Sequence, residues 1–205
     1  VKKTPLAEYD TSRRDGIIAI NLEEGDELIG VQLTDGKQDI ILVTADGQAI
    51  RFNEEEARPM ARATKGVRGI KLLEGDHVVS MEVAREDAQL LVVTEHGYGK
   101  RTNMDEYRQQ ARGGKGVFTV RPSERNGKIV GALVVKEDEE IMAISKEGII
   151  IRIKVEDISS MGRTTQGVTI MKVAENDVVI SIARVAEHEE HEKTAKKEMT
   201  LFEEE

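Results

Sequence analysis

Arg62-Ala63-Thr64-Lys65-Gly66-Val67 returns as Arg112-Gly113-Gly114-Lys115-Gly116-Val117 and as Arg163-Thr164-Thr165-Gln166-Gly167-Val168, and more loosely as Arg13-Arg14-Asp15-Gly16-Ile17. Two further landmarks keep step with it. Ala45-Asp46-Gly47 is followed four residues after its glycine by Arg51, His96-Gly97 by Arg101, and Lys146-Glu147-Gly148 by Arg152. A polar turn ahead of an apolar run appears at Glu24-Gly25-Asp26, Glu74-Gly75-Asp76, Arg125-Asn126-Gly127 and Glu175-Asn176-Asp177. Three landmarks sharing a period of about 50 residues mark a repeat architecture, in which each unit buries its apolar face against its neighbours.

Within one period the apolar residues form short β-branched runs rather than a helical stripe. Leu28–Leu33, Ile40–Val43, Ala49–Phe52 and Gly66–Leu72 are each of strand length and bounded by Gly, Asp or Asn. Asp46-Gly47 supplies the positive φ that a tight hairpin needs. The polar stretch from Asn53 to Lys65 contains Pro59 and reads as an outer connection. Four strands in each of several repeats predict an all-β, propeller-like fold of four-stranded units.

Full repeats run from about 28 to 72, 78 to 122 and 129 to 174. Residues 1 to 22 supply the second half of a repeat and residues 178 to 185 a first strand, about three and a half repeats in all. The expectation is a partial repeat domain over 1–186, cut from a longer polypeptide, followed by a flexible acidic tail over 187–205.

At 205 residues and 39% hydrophobic content the chain can bury a substantial core. The absence of cysteine excludes disulfides and thiol chemistry, and no apolar run approaches the length of a membrane span. The net charge of −9 is unevenly placed: residues 187–205 hold eight Glu and three Lys, a net of −5, leaving −4 for the rest. Local clustering therefore says more about partners than the total does.

Catalysis has little to stand on. His77 and His96 fall in turns, and His188 and His191 in the acidic tail. Glu54-Glu55-Glu56 and Glu137-Asp138-Glu139-Glu140 read as solvated loop charges. Arg112-Gly113-Gly114-Lys115-Gly116 resembles a phosphate loop, but Val117 stands where that motif needs Lys-Ser/Thr, and a strand follows where it needs a helix. What remains is a phased array of cations: Arg13, Arg14, Arg62, Lys65, Arg112, Lys115 and Arg163, joined by Arg58, Arg68 and Arg108. Equivalent sites on successive blades would set them along a curved rim. Lys, Arg and glycine-exposed backbone N–H groups contact duplex phosphates without sequence choice. At 3% aromatic content, stacking platforms for single strands are scarce.

Gly25-Asp26-Glu27-Leu28-Ile29-Gly30, Gly66-Val67-Arg68-Gly69-Ile70, Gly97-Tyr98-Gly99-Lys100-Arg101-Thr102 and Thr165-Gln166-Gly167-Val168 closely resemble the family of C-terminal domains of DNA gyrase A proteins, over essentially residues 1 to 186. The resemblance implies a β-pinwheel of six blades that wraps double-stranded DNA around its rim in a positive sense. It implies partners in the rest of the gyrase A protein and in the gyrase B protein, in a holoenzyme of two copies of each. It also implies a cytoplasmic, nucleoid-associated location with no membrane, no cofactor in this chain, and ATP and Mg²⁺ acting on other domains. The family's signature box, Gln-Arg-Arg-Gly-Gly-Lys/Arg-Gly, has its nearest counterpart in Gln110-Ala111-Arg112-Gly113-Gly114-Lys115-Gly116, with Ala111 in place of one Arg and in a later repeat. The intact box is therefore expected upstream of Val1. Tyr9, Tyr98 and Tyr107 align with pinwheel positions rather than with a cleavage nucleophile. The corresponding domain of topoisomerase IV and a propeller that binds only proteins are the alternatives.

Overall fold

Asp46-Gly47 and its counterparts close three hairpins. In the computed structural model, which describes residues 1–185, these are β1 (Asp39–Thr44) with β2 (Gln48–Asn53), β4 (Gln89–Thr94) with β5 (Tyr98–Asn103), and β8 (Glu140–Ser145) with β9 (Ile150–Lys154). Gly47 sits at φ +88°, and a Cβ there would be driven into the Val120 carbonyl, so the turn requires glycine twice over. The remaining strands are β3 (Val78–Val83), β6 (Val117–Phe118), β7 (Ile129–Val135), β10 (Val168–Thr169) and β11 (Val179–Arg184).

Each sheet is shared between repeats. The strand orders are β3-β1-β2-β6, β7-β4-β5-β10 and β11-β8-β9, all antiparallel. A hairpin from one repeat is thus flanked by the first and last strands of the next. Four strands in each of the first two sheets agree with the period; their assignment to a single repeat does not. Leu28–Leu33 and Gly66–Leu72, expected as strands, form none. The rule set by β3, β7 and β11 gives a first strand to the hairpin of the preceding repeat, and no described hairpin stands in that phase ahead of Leu28. Leu28 and Leu33 are accordingly 52% and 78% exposed, whereas Ile129 and Val179, at the position of Leu28, are 2% and 1% exposed.

The central strands β1 and β4 are buried along nearly their whole length: neighbouring sheets cover both faces of β4, and β1 has the second sheet on one face and Ile70 and Val1 on the other. That is why they read as continuous apolar runs instead of alternating ones. Ile41, Val43, Leu90, Val92 and Val134 fill the space between the first two sheets, and Leu91, Val93, Val135, Ile141 and Ala143 that between the second and third. Tyr107 closes the first of these cores; its hydroxyl meets Thr119 Oγ1 at 2.5 Å, and burial pushes its pKa up to about 12.

β3, β7 and β11 pack side by side and form the inner edges of the sheets. Side chains occupy the backbone groups that these edges would otherwise present. Ser80 Oγ accepts from the Ala132 N–H at 2.8 Å and Glu82 Oε2 from the Val134 N–H at 3.2 Å, while Arg85 and Arg184 each donate to the Val134 carbonyl at 2.5 Å. The acidic turn is also structural: Asp76 Oδ1 accepts from the Asp46 N–H at 2.9 Å and Asp177 Oδ1 from the Glu147 N–H at 3.0 Å, each capping the hairpin turn of the preceding repeat.

The acidic clusters are not solvated as a whole. Glu54 is buried and accepts from the N–H groups of Gly36 and Gln38 at 2.9 Å and from Thr34 Oγ1 at 2.8 Å, tying the 34–38 turn to the end of β2. Glu139 pairs with Arg85 at 2.7 Å and Glu137 with Arg101 at 3.0 Å. Short range in sequence hides these partners, which lie between 16 and 54 residues away along the chain. Among the described residues no helix is long and apolar enough to cross a membrane. The expected tail over 187–205, with His188 and His191, lies outside the described residues.

Candidate nucleic-acid interface

Strand register carries the repeated loop to the outer edge of the first and second sheets. Arg51 bridges Gln109 in parallel, yet two residues back along β2 Ala49 pairs with Val117, so residues 110–116 must bulge outward from the edge. The same excursion separates Ser160 from Val168 beside β5, and Pro59 from Val67 beside Lys3 and Val1. With β3, β7 and β11 innermost, these bulges form the perimeter. The glycine that ends each loop follows from the close approach: Gly116 has φ +74°, and a Cβ there would strike the Ala49 carbonyl.

Within the bulge the recurring arginine is committed to the neighbouring blade. Arg62 donates to the Ile18 carbonyl at 3.1 Å, Arg163 to the Phe118 carbonyl at 2.6 Å, and Arg112 to the Arg68 carbonyl. The three acceptors are themselves one period apart, so a chain of arginine staples links successive blades along the rim. The backbone N–H groups of Arg112 and Arg163 are held in turn by Glu56 and Glu106, both at 2.7 Å. All three arginines are half-buried.

The Gly97–Thr102 motif is an internal support rather than a contact surface. Lys100 is fully buried, and its Nζ donates to the carbonyls of Gly162 at 2.8 Å and Arg163 at 2.6 Å and to Thr165 Oγ1 at 3.2 Å, pinning the third loop from beneath. Burial lowers this ammonium's pKa to about 8. Lys2 serves the first loop in the same way, through the carbonyls of Ala19 and Arg62. Arg101 donates to the Ile158 carbonyl at 2.5 Å and Thr102 to the Met161 carbonyl at 2.9 Å.

The other predicted cations are exposed: Arg13 and Arg14 on the N-terminal segment, Arg58 and Arg108 beside the bridging residues Pro59 and Gln109, Lys65 and Lys115 on the bulges, and Arg68 after the first. Lys65 pairs with Glu23 at 2.8 Å, an exposed contact of little strength. A second phased series escapes a motif-based reading. Lys71, Arg121 and Lys172 recur at the same period, are exposed, and follow the outer strand or its equivalent; only the spacing signals them.

Interlocked sheets around a common inner edge, with cation-bearing bulges on the perimeter, define a strand-exchanged β-propeller with a basic rim. Four consecutive segments, 1–35, 38–85, 88–136 and 139–186, match the family described as the DNA gyrase C-terminal domain, beta-propeller, and the chain belongs to that family. It is 61% identical over 184 residues to the DNA gyrase A protein of Halalkalibacterium halodurans, covering 90% of the chain and 22% of that protein. It is 46% identical over 187 residues to the DNA gyrase A protein of Klebsiella oxytoca, covering 91% of the chain and 21% of that protein. The chain thus spans about a fifth of the length of these relatives. Among solved structures it resembles the C-terminal domain of DNA topoisomerase IV (TM-score 0.88, 31% identity, 97% of the chain and 62% of that structure). It also resembles a DNA gyrase A C-terminal domain (TM-score 0.78, 31% identity, 84% of the chain and 59% of that structure).

Proposed function

We propose that this domain binds duplex DNA without sequence preference and wraps it along the basic rim. In this reading it sets the handedness with which a whole gyrase introduces negative supercoils. The observation that carries the reading is the placement of the repeated loops, two of them on the outer edges of the first and second sheets and one beside Val1 and Lys3, with Lys65, Lys115, Arg58, Arg68 and Arg108 exposed there. Phosphate contacts by such side chains supply affinity and register but no base readout. The domain contributes no catalytic group. Strand cleavage and the use of ATP and Mg²⁺ belong to other parts of the gyrase A protein and to the gyrase B protein, in the bacterial cytoplasm at the nucleoid.

If six to ten phosphates are neutralised, duplex affinity falls by about 10³ to 10⁵ between 50 and 200 mM salt. A filter-binding titration of random-sequence duplex measures this, and a flat salt profile overturns the proposal. Wrapping is tested separately by sealing nicked circular DNA in the presence of the domain: a positive wrap shifts the closed products toward positive linking difference. The TM-score of 0.88 to a topoisomerase IV domain keeps the equivalent domain of that enzyme as the second reading. Binding without a linking shift favours it.

A further inference from the structure

The three bulges differ in charge at one position. Lys65 and Lys115 stand directly before the loop glycine in the first two, and Gln166 stands there in the third. Gln166 is turned onto the segment that follows β6. Its Oε1 accepts from Asn126 Nδ2 at 2.9 Å and from Ser123 Oγ at 3.2 Å, and its Nε2 faces the Arg121 carbonyl at 3.4 Å. That segment, residues 121–127, runs from the outer strand β6 to the inner strand β7 and carries two arginines against one glutamate. Its counterparts 71–77 and 172–178 each carry one lysine against two carboxylates, and 21–27 carries four carboxylates with no Lys or Arg. The cation missing from the third bulge is thus replaced by two cations on the segment it touches.

Both arginines are exposed, and each lies on an aromatic ring. The Arg121 guanidinium is 4.3 Å from the centroid of Phe118, and that of Arg125 is 4.7 Å from the centroid of Tyr98. Phe118 is on β6, the outer strand of the first sheet, and Tyr98 opens β5, next to the outer strand β10 of the second, so the two platforms stand on the outer sides of adjacent sheets. Hydrogen bonding from Arg125 and Thr169 holds the Tyr98 hydroxyl below its ordinary pKa. A guanidinium stacked by its face has N–H groups to spare along its edge, beyond the one Arg125 turns to the Tyr98 hydroxyl, and a side chain already held in place loses less rotamer freedom when that edge meets a phosphate. Three of the chain's few aromatic residues are tyrosines and three are phenylalanines, and one of each is used in this way.

We infer that Arg121 and Arg125 are a phosphate-gripping pair that carries the duplex path across the junction where Gln166 replaces lysine. The inference rests on the duplex-binding reading above. The 205-residue chain and the double variant Arg121→Gln with Arg125→Gln are titrated with a fluorescently labelled random-sequence duplex over a range of salt. Lys65→Gln with Lys115→Gln serves as the reference variant. The expected result for the arginine pair is a loss of roughly tenfold or more in low-salt affinity, with the slope of log affinity against log salt reduced by about two. Thermal midpoint should be unchanged, and adding Gln166→Lys to the double variant should restore part of the slope. If the unaltered chain shows no salt-dependent duplex binding, the duplex reading itself falls. If it binds and the lysine pair lowers the slope while the arginine pair changes neither slope nor affinity, this inference alone is overturned. A loss of affinity with an unchanged slope marks a structural clamp and also overturns it.

Discussion

Arg112 reaches back to the carbonyls of Glu56 and Arg68, whereas Lys115, three residues on, is exposed, so adjacent charges of one motif have separate duties. Arg112→Met should strand those acceptors and lower stability by about 1 to 2 kcal/mol, read from urea melts. Lys115→Gln should leave stability within about 0.5 kcal/mol and weaken duplex binding, read by anisotropy. Lys100 makes a pH-dependent contribution. Its pKa is near 8 in the folded protein and 10.5 by default, so between those values the unfolded chain holds more proton and folding is favoured as pH rises. The stability difference between the natural chain and Lys100→Met should therefore shift toward the natural chain by up to about 3 kcal/mol from pH 8 to 10.5. A pH-independent difference would show that the three oxygen acceptors hold the ammonium as well as water does.

At the level of the loop and the hairpin, local chemistry is readable and partnership is not. Asp46-Gly47 announces a turn because glycine at 47 meets the local requirement for positive φ. Gly116 looks equally local, but its reason is the Ala49 carbonyl across the sheet edge. Gly116→Val should strain the backbone and push the bulge from the edge, costing roughly 2 kcal/mol or more and weakening duplex binding together with the thermal midpoint. That joint loss distinguishes it from Lys115→Gln. Glu54 reads as a solvated loop charge because its cluster is all acidic; the structure folds the 34–38 turn over it. Glu54→Ala should free that turn and cost about 2 to 4 kcal/mol, visible as early hydrogen exchange at Gly36 and Gln38.

On the scale of the molecule, the arginine staples couple each blade to the one before it, so damage at one rim loop should be felt at its neighbour. The acidic segment 187–205, which lies outside the described residues, carries eight glutamates and three lysines and competes with phosphates in the proposed function. Its deletion should tighten duplex binding at low salt, with a gain that shrinks as the Debye length falls from about 30 Å at 0.01 M to about 8 Å at 0.15 M. Equal affinities at 0.01 M would leave the tail no part in binding.

The period, the all-β class and the three hairpins follow from the sequence alone, because turn chemistry and strand-length apolar runs act over a few residues and repeat in phase. Which repeat lends a strand to which sheet was decided only in three dimensions. Leu28–Leu33 has the composition of β3 and β7 and still pairs with no strand among the described residues, since a strand exists only where another edge accepts its hydrogen bonds. The same holds for charge. Arg62, Arg112 and Arg163 look identical in kind to Lys65 and Lys115 along the chain, but their acceptors lie 44 or 45 residues upstream on the neighbouring blade. Spacing places a cation on the rim, and only packing determines whether its charge is turned outward or spent on a carbonyl.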